Sequence, residues 1–173
     1  MYVEAEIDPF KIMDRAWLLD PKRAPHHVGA RLRRYYIDLE TKEITFNDML
    51  KRDTDTLGFV EYNPRFAAKE TRYTYIVSLD YNENKTMLHQ YDSKTGTDKT
   101  WSEDDIYLSE PQVIVDPDNH GELDMLIVFS IYDHKIENNR MVIIDCNTLE
   151  PISDTVMPTR LPMTLHQYWY AAN

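Results

Sequence analysis

Ile37–Glu43 reads IDLETKE, Tyr91–Thr97 reads YDSKTGT and Ile144–Glu150 reads IDCNTLE. Each string sets Asp-x-x-Thr directly after an apolar or aromatic strand end, with aspartates at Asp38, Asp92 and Asp145, 54 and 53 residues apart. A short acid can hydrogen-bond backbone amides two residues on, and Thr can restart a strand, so the motif suits a hairpin turn. One copy is commonplace, but three at a near-constant period mark an internal repeat. That period is close to a four-stranded propeller blade, about 40–50 residues in known repeat families. The 173 residues hold about 3.2 such repeats, whereas propellers close with roughly four to eight blades. Three blades leave one blade face and several strand edges in water. The chain is therefore expected to be part of a larger propeller whose other blades are sequence missing from this chain or a second chain.

The strand pattern around the turns agrees. From Arg72 to Leu79, Tyr73, Tyr75, Val77 and Leu79 alternate with Arg72, Thr74, Ile76 and Ser78, which is the period of a strand. Strand-like runs also occur at Arg33–Ile37, Met87–Tyr91, Gln112–Val115, Met125–Ile131 and Met141–Ile144, bounded by clusters such as DPDNHGE and DHKIENN. The fold class expected is all-β. One short helical turn is predicted over Phe10–Leu19, where Met13, Trp17 and Leu18 fall loosely at helical spacing between Pro9 and Pro21. Residues 1–29 otherwise carry no assignable pattern.

With 19 Lys and Arg against 30 Asp and Glu, the net charge of −11 repels phosphate backbones, so nucleic acid is not an expected partner. Cys146 is the only cysteine, which excludes an intrachain disulfide and a CxxC metal knuckle and favours a reducing compartment. The opening MYVEAEIDPFKIMDRAWLLD lacks the basic start of a signal peptide, and no apolar run reaches the ~20 residues of a membrane span. A cytoplasmic chain is expected, with apolar peripheral membrane contact left open.

None of the six histidines forms an HExxH or Hx3–5H pair with a carboxylate. His26 and His27 lie in a polar stretch, and His120 and His134 in turns, where solvated side chains are the ordinary expectation. His89 alternates within a strand and is open to either reading. His166 sits in PMTLHQYWY, a dry context that suits a buried, backbone-bonded histidine as well as a metal ligand. Repeat phase adds weight to the ligand: Gly58, Glu110 and His166 follow the three turn aspartates by 20, 18 and 21 residues. If that place starts the innermost strand, Glu110 and His166 face the propeller axis from neighbouring blades. A carboxylate there could fix an imidazole tautomer and aim its other nitrogen at a metal. A solvated turn carboxylate before Pro111 is the alternative for Glu110. Tyr168, Trp169 and Tyr170 suit either core packing or the wall of an apolar tunnel.

Six blocks resemble the carotenoid cleavage oxygenase family, which includes retinal pigment epithelial membrane protein-like members, over most of the chain from about Ala30 onward. Gly58–Phe66, GFVEYNPRF, is similar to the family's EFPRINPRY, Arg72–Tyr75 to RYxY, and Tyr107–Gln112, YLSEPQ, to YpSEPvF. Gly121–Ser130 resembles DDG-x-LLS, Val142–Pro151 resembles LLVLDAxTLEP, and Leu161–His166 resembles VPxGFH, all in family order. The resemblance implies about three C-terminal blades of a seven-bladed β-propeller. It also implies an axial nonheme Fe(II) held by four histidines with outer glutamates, cleaving polyene double bonds with O2. His166 matches the last iron ligand, and Glu110 a glutamate that hydrogen-bonds an iron-bound histidine. The other three ligands lie upstream of the matched region. The expected function is thus the C-terminal part of a dioxygenase acting on carotenoids or apocarotenoids, not competent alone, with an apolar polyene and O2 as its partners. The alternative is a noncatalytic propeller remnant or binding module. Two departures favour that alternative: Gly58 replaces the outer glutamate of its block, and Gln167 replaces the glycine after the terminal histidine. Losing such a supporting partner typically costs ~10–100-fold in metal affinity or activity. Glu61, three residues on, is expected on the opposite strand face from Gly58 and so to be a poor substitute.

Overall fold

The computed structural model describes residues 2–5, 30–52, 55–80, 83, 85–118 and 120–162. Among these the regular structure is β, apart from one 3-10 turn at Pro64–Phe66. The chain divides into two compact units, residues 1–57 with 79–84 and residues 58–78 with 85–173. The first contains the antiparallel sheet β1 (Tyr2–Ala5), β2 (Ala30–Ile37) and β3 (Ile44–Arg52), in that order. A second sheet has the order β4 (Asp55–Glu61), β5 (Tyr73–Asp80), β6 (Lys85–Asp92) and β7 (Thr97–Trp101). The third is built on β10 (Met125–Asp133), with β11 (Asn138–Asp145) and then β12 (Glu150–Val156) on one side. On its other side β10 pairs with two short strands, β9 (Gln112–Val115) along Met125–Val128 and β8 (Ile106–Leu108) along Ile131–Asp133. β8 and β9 thus form one edge strand interrupted at Ser109–Pro111. These sheets are propeller blades, as the repeat predicts.

The three Asp-x-x-Thr strings adopt one turn. Asp38, Asp92 and Asp145 accept bonds from the amides of Glu40, Lys94 and Asn147 at 2.8, 2.9 and 2.9 Å. Their carbonyls accept from Lys42, Gly96 and Leu149, four residues on, at 3.0, 2.8 and 2.8 Å. That fourth residue is left-handed each time, with φ of 64°, 71° and 62°. Only Gly96 takes this conformation without steric cost. Leu149 is buried in the core, and that burial offsets its strain. The threonines do not restart strands. They stay inside the turn, where the Thr41 and Thr148 hydroxyls accept the amides of Glu43 and Glu150 at 3.3 Å.

Within the second unit, the period-two faces read from sequence meet. Tyr75 and Val77 of β5, Leu88 of β6 and Trp101 of β7 form one cluster with Ile127, Phe129 and Ile131 of β10 and Val142 and Ile144 of β11. Trp101 stacks on Phe129 with ring centres 5.9 Å apart. Each such side chain contributes about 1.5–3 kcal/mol on full burial. Polar ties set the relation of these two sheets. Gln90 donates to the Tyr75 hydroxyl at 2.7 Å and to the Cys146 carbonyl at 2.6 Å, while Thr86 bonds the backbone of Ile106 and Leu108 at 3.0 Å. Fully buried Asn63 donates to the carbonyls of Gly121 and Glu122 and accepts from the Arg65 amide. The predicted helical turn at Phe10–Leu19 lies outside the described residues.

Candidate functional site

Gly58 lies within β4 and Glu110 in the interruption between β8 and β9, so both stand on the first edge strand of their sheets. Glu110 precedes β9 because Pro111 has no amide hydrogen to give the ladder. Ser109 still donates to the Ser130 carbonyl at 3.1 Å, which holds the break against β10. His166, Gln167, Tyr168, Trp169 and Tyr170 lie outside the described residues, as do His26 and His27.

Strand alternation alone does not place Glu61. Phe59 between Gly58 and Glu61 is left-handed, with φ of 53°, so period two does not carry across it. Glu61 is half-buried, and burial first and the Glu110 carboxylate second push its carboxyl up to about 7. The two acids of adjacent blades therefore sense each other, a coupling that counting residues along one strand could not reveal. A Glu61 proton is held more tightly in the folded chain than in the unfolded one. Its stabilising contribution is complete below the ordinary glutamate range near 4.5 and is lost as pH rises through about 7. Glu61→Gln should therefore unfold at the wild-type urea midpoint at pH 4 and at a higher midpoint at pH 8. Equal midpoints for the two proteins at both pH values would refute the coupling.

At Gly58 the backbone leaves room for a side chain, since an added β-carbon would meet no atom within 4 Å. The missing glutamate is thus a sequence difference and not one enforced by crowding.

His89 resolves as a structural group. It is fully buried, its Nδ1 2.9 Å from Asp98 Oδ2 and its Nε2 2.8 Å from Ser78 Oγ, so three side chains of β5, β6 and β7 are tied in series. Ser78 is itself buried, so this series is closed to a substrate. His120 and His134 are exposed, and His134 packs edge-on against Tyr107 and Tyr132. A cleft of about 430 Å³ at one end of the third sheet is lined by Asp116, Asp124 and Asp145 among apolar residues. Each of these carboxyls caps its own loop, accepting from Asp118, Gly121 and Asn147 respectively.

Among the described residues no group of three or more His, Cys, Asp or Glu is arranged to hold a metal ion. Those residues supply carboxyl acceptors of the kind that support a ligand, but not a ligand set.

The model of the retinal pigment epithelial membrane protein family matches residues 4–171. The chain belongs to that family. Solved structures of the family's fold agree. A mutant apocarotenoid oxygenase from Synechocystis superposes with a TM-score of 0.73 at 19% identity, over 84% of this chain and 31% of that one. The cobalt-substituted Synechocystis enzyme gives 0.71 at 20% identity, over 83% and 30%, and an apocarotenoid oxygenase/RPE65 chimera 0.69 at 20%, over 80% and 30%. This family member thus spans about a third of the length of the oxygenases it matches. No curated protein sequence matches it significantly.

Proposed function

We propose that the chain is the C-terminal part of a nonheme iron dioxygenase that cleaves double bonds of a carotenoid or apocarotenoid. The observation that supports this is the family match, which runs from residue 4 to 171 and so takes in both Glu110 and His166. His166 would be one of four iron-binding imidazoles, the other three coming from upstream blades. Iron with open coordination positions would supply the meeting point of O2 and a substrate double bond. Glu110 would accept the second N–H of an iron-binding imidazole, fixing its tautomer and direction. Glu61, whose carboxyl is pushed up to about 7 by burial and by the Glu110 carboxylate, would be about half protonated at neutral pH, which limits the negative charge there. The chain would lie in the cytoplasm, in peripheral contact with a membrane that stores its apolar substrate.

The test begins with the intact mass of the native polypeptide, isolated from its source with an antibody to this chain. A mass well above 20.6 kDa, with bound iron and cleavage of an apocarotenal that both vanish in His166→Ala, is the expected result. Retained iron with normal turnover in that variant would refute the ligand assignment. The second reading, a noncatalytic propeller remnant, is favoured by Gly58 and Gln167, which depart from the family's pattern. A native mass of 20.6 kDa with no iron and no copurifying chain would support it, whereas a stoichiometric partner chain would point to a split enzyme.

A further inference from the structure

Counted from the turn aspartates, two buried polar side chains fall at the same place in successive repeats. Thr86 and Asn139 each stand six residues before their aspartates, Asp92 and Asp145. Each is the second residue of its strand, β6 or β11, and is almost wholly buried. Each accepts an amide from the segment that follows its own sheet: Leu108 donates to Thr86 Oγ1 at 3.0 Å, and Leu161 to Asn139 Oδ1 at 2.8 Å. Both leucines come sixteen residues after the aspartates, so the two bonds are one tie repeated. Glu110 follows Leu108 by two residues, and His166 follows Leu161 by five. In the first repeat the place of Thr86 and Asn139 is taken by Leu32, whose side chain has no acceptor, and that repeat carries Gly58 in place of an acid or histidine. The tie thus occurs in the two repeats that bear Glu110 and His166.

We propose that Thr86 and Asn139 are positioning residues of the iron site, Thr86 fixing the strand that carries Glu110 and Asn139 the segment that carries His166. The inference rests on the reading of this chain as part of an iron dioxygenase, and deepens it by naming what holds the two site residues in place. Further bonds reinforce each tie. The Thr86 hydroxyl donates to the Ile106 carbonyl at 3.0 Å, so it grips β8 on both sides of Tyr107. The Asn139 carbonyl accepts the Met157 amide at 2.8 Å, and Asn138 Nδ2 donates to the Met157 carbonyl at 3.1 Å. Arg160 then lies 5.0 Å over the ring of Tyr132, the cross-strand partner of Asn139. The chain leaving outer strand β12 is therefore held first on β11 and then on β10, the strand that pairs with β8 and β9. One amide bond adds little to stability, whereas a shift of about 1 Å in a site group can cost about a hundredfold. The effect of each tie accordingly falls on the site more than on the fold.

Thr86→Val and Asn139→Leu keep the bulk and remove the acceptor, while Thr86→Ser and Asn139→Asp keep an acceptor. Each is made in the longer native polypeptide, where iron affinity is read by competition with a chelator and folding by the urea midpoint. Thr86→Val and Asn139→Leu are expected to bind iron more weakly by about tenfold or more, and Thr86→Ser and Asn139→Asp to recover most of that loss. Val77→Ala, a truncation in the core on β5, should lower the urea midpoint and leave iron affinity unchanged. In the 173-residue chain, amide hydrogen exchange should quicken by about fivefold at Leu108 in Thr86→Val and at Leu161 in Asn139→Leu. Wild-type iron affinity in Thr86→Val or Asn139→Leu would overturn the role of that residue, as would unchanged exchange at its leucine. An equal loss of iron in Val77→Ala would overturn both roles, because the effect would then follow stability alone. A wild-type polypeptide that binds no iron would instead refute the enzyme reading, and the positioning roles with it.

Discussion

Phe129→Ala is expected to lower the free energy of unfolding by about 3–5 kcal/mol, the range for truncating a fully buried aromatic ring. Phe129 is wholly buried at the centre of the cluster shared by the second and third sheets, and its ring lies against Trp101 at an interplanar angle of 12°. Removing it takes away area from both sheets at once and leaves a void walled by Ile127, Ile131 and Val142, β-branched side chains that are stiff and cannot collapse to fill it. Domains of this size have about 5–15 kcal/mol in total, so the loss is about a fifth of the stability or more. Urea unfolding followed by tryptophan fluorescence measures it as a lower midpoint at unchanged slope. Ile152→Ala, at an exposed position on β12, should stay within about 0.5 kcal/mol of wild type. A Phe129→Ala protein that unfolds at the wild-type midpoint would show that the two sheets are not packed as described.

His89→Leu is the second large effect, about 3 kcal/mol, from leaving buried polar groups unpaired at about 1–3 kcal/mol each. The leucine supplies similar bulk but no nitrogen, so the Ser78 hydroxyl and Asp98 Oδ2 both lose their partner inside the sheet. Asp98 has no spare bond to fall back on, since its Oδ1 is already buried without a hydrogen-bond partner. A double-mutant cycle with Ser78→Ala separates the two ends. If His89 acts as one link between them, the double variant should be less destabilised than the sum of the single changes. Additive losses, or a His89→Leu protein as stable as wild type, would mean that the series contributes nothing as a unit.

These two residues show where sequence reading succeeds and where it stops. Phe129 belongs to a run, Met125 to Ile131, whose near-continuous apolar residues mark a largely buried strand, so the strand was legible although its faces were not. The bonds of His89 were not, because its partners lie 11 and 9 residues away on other strands and depend on register. The three turns were legible because an Asp side chain acts locally on amides two residues on. Strands β7 and β12 were not, being outer strands with at most one buried position and no apolar period to read. At the candidate site, the edge-strand positions of Gly58 and Glu110 followed from the repeat. The influence of the Glu110 carboxylate on Glu61 did not, because the two lie on different sheets, beyond what counting along one strand can relate.

The outer strands have a further consequence, for self-association. Each sheet ends in a strand whose free ladder groups could recruit another chain. Lys51 on β3 and Lys99 on β7 place charge on two of these edges. On β12, Pro151 removes a donor, and a register shift against Ile143 and Ile144 twists the third edge. A piece of a propeller with its apolar face partly bare is thereby guarded against strand addition along its rims, so aggregation of this chain would proceed face to face, through side chains, and not by the growth of a continuous cross-β ladder.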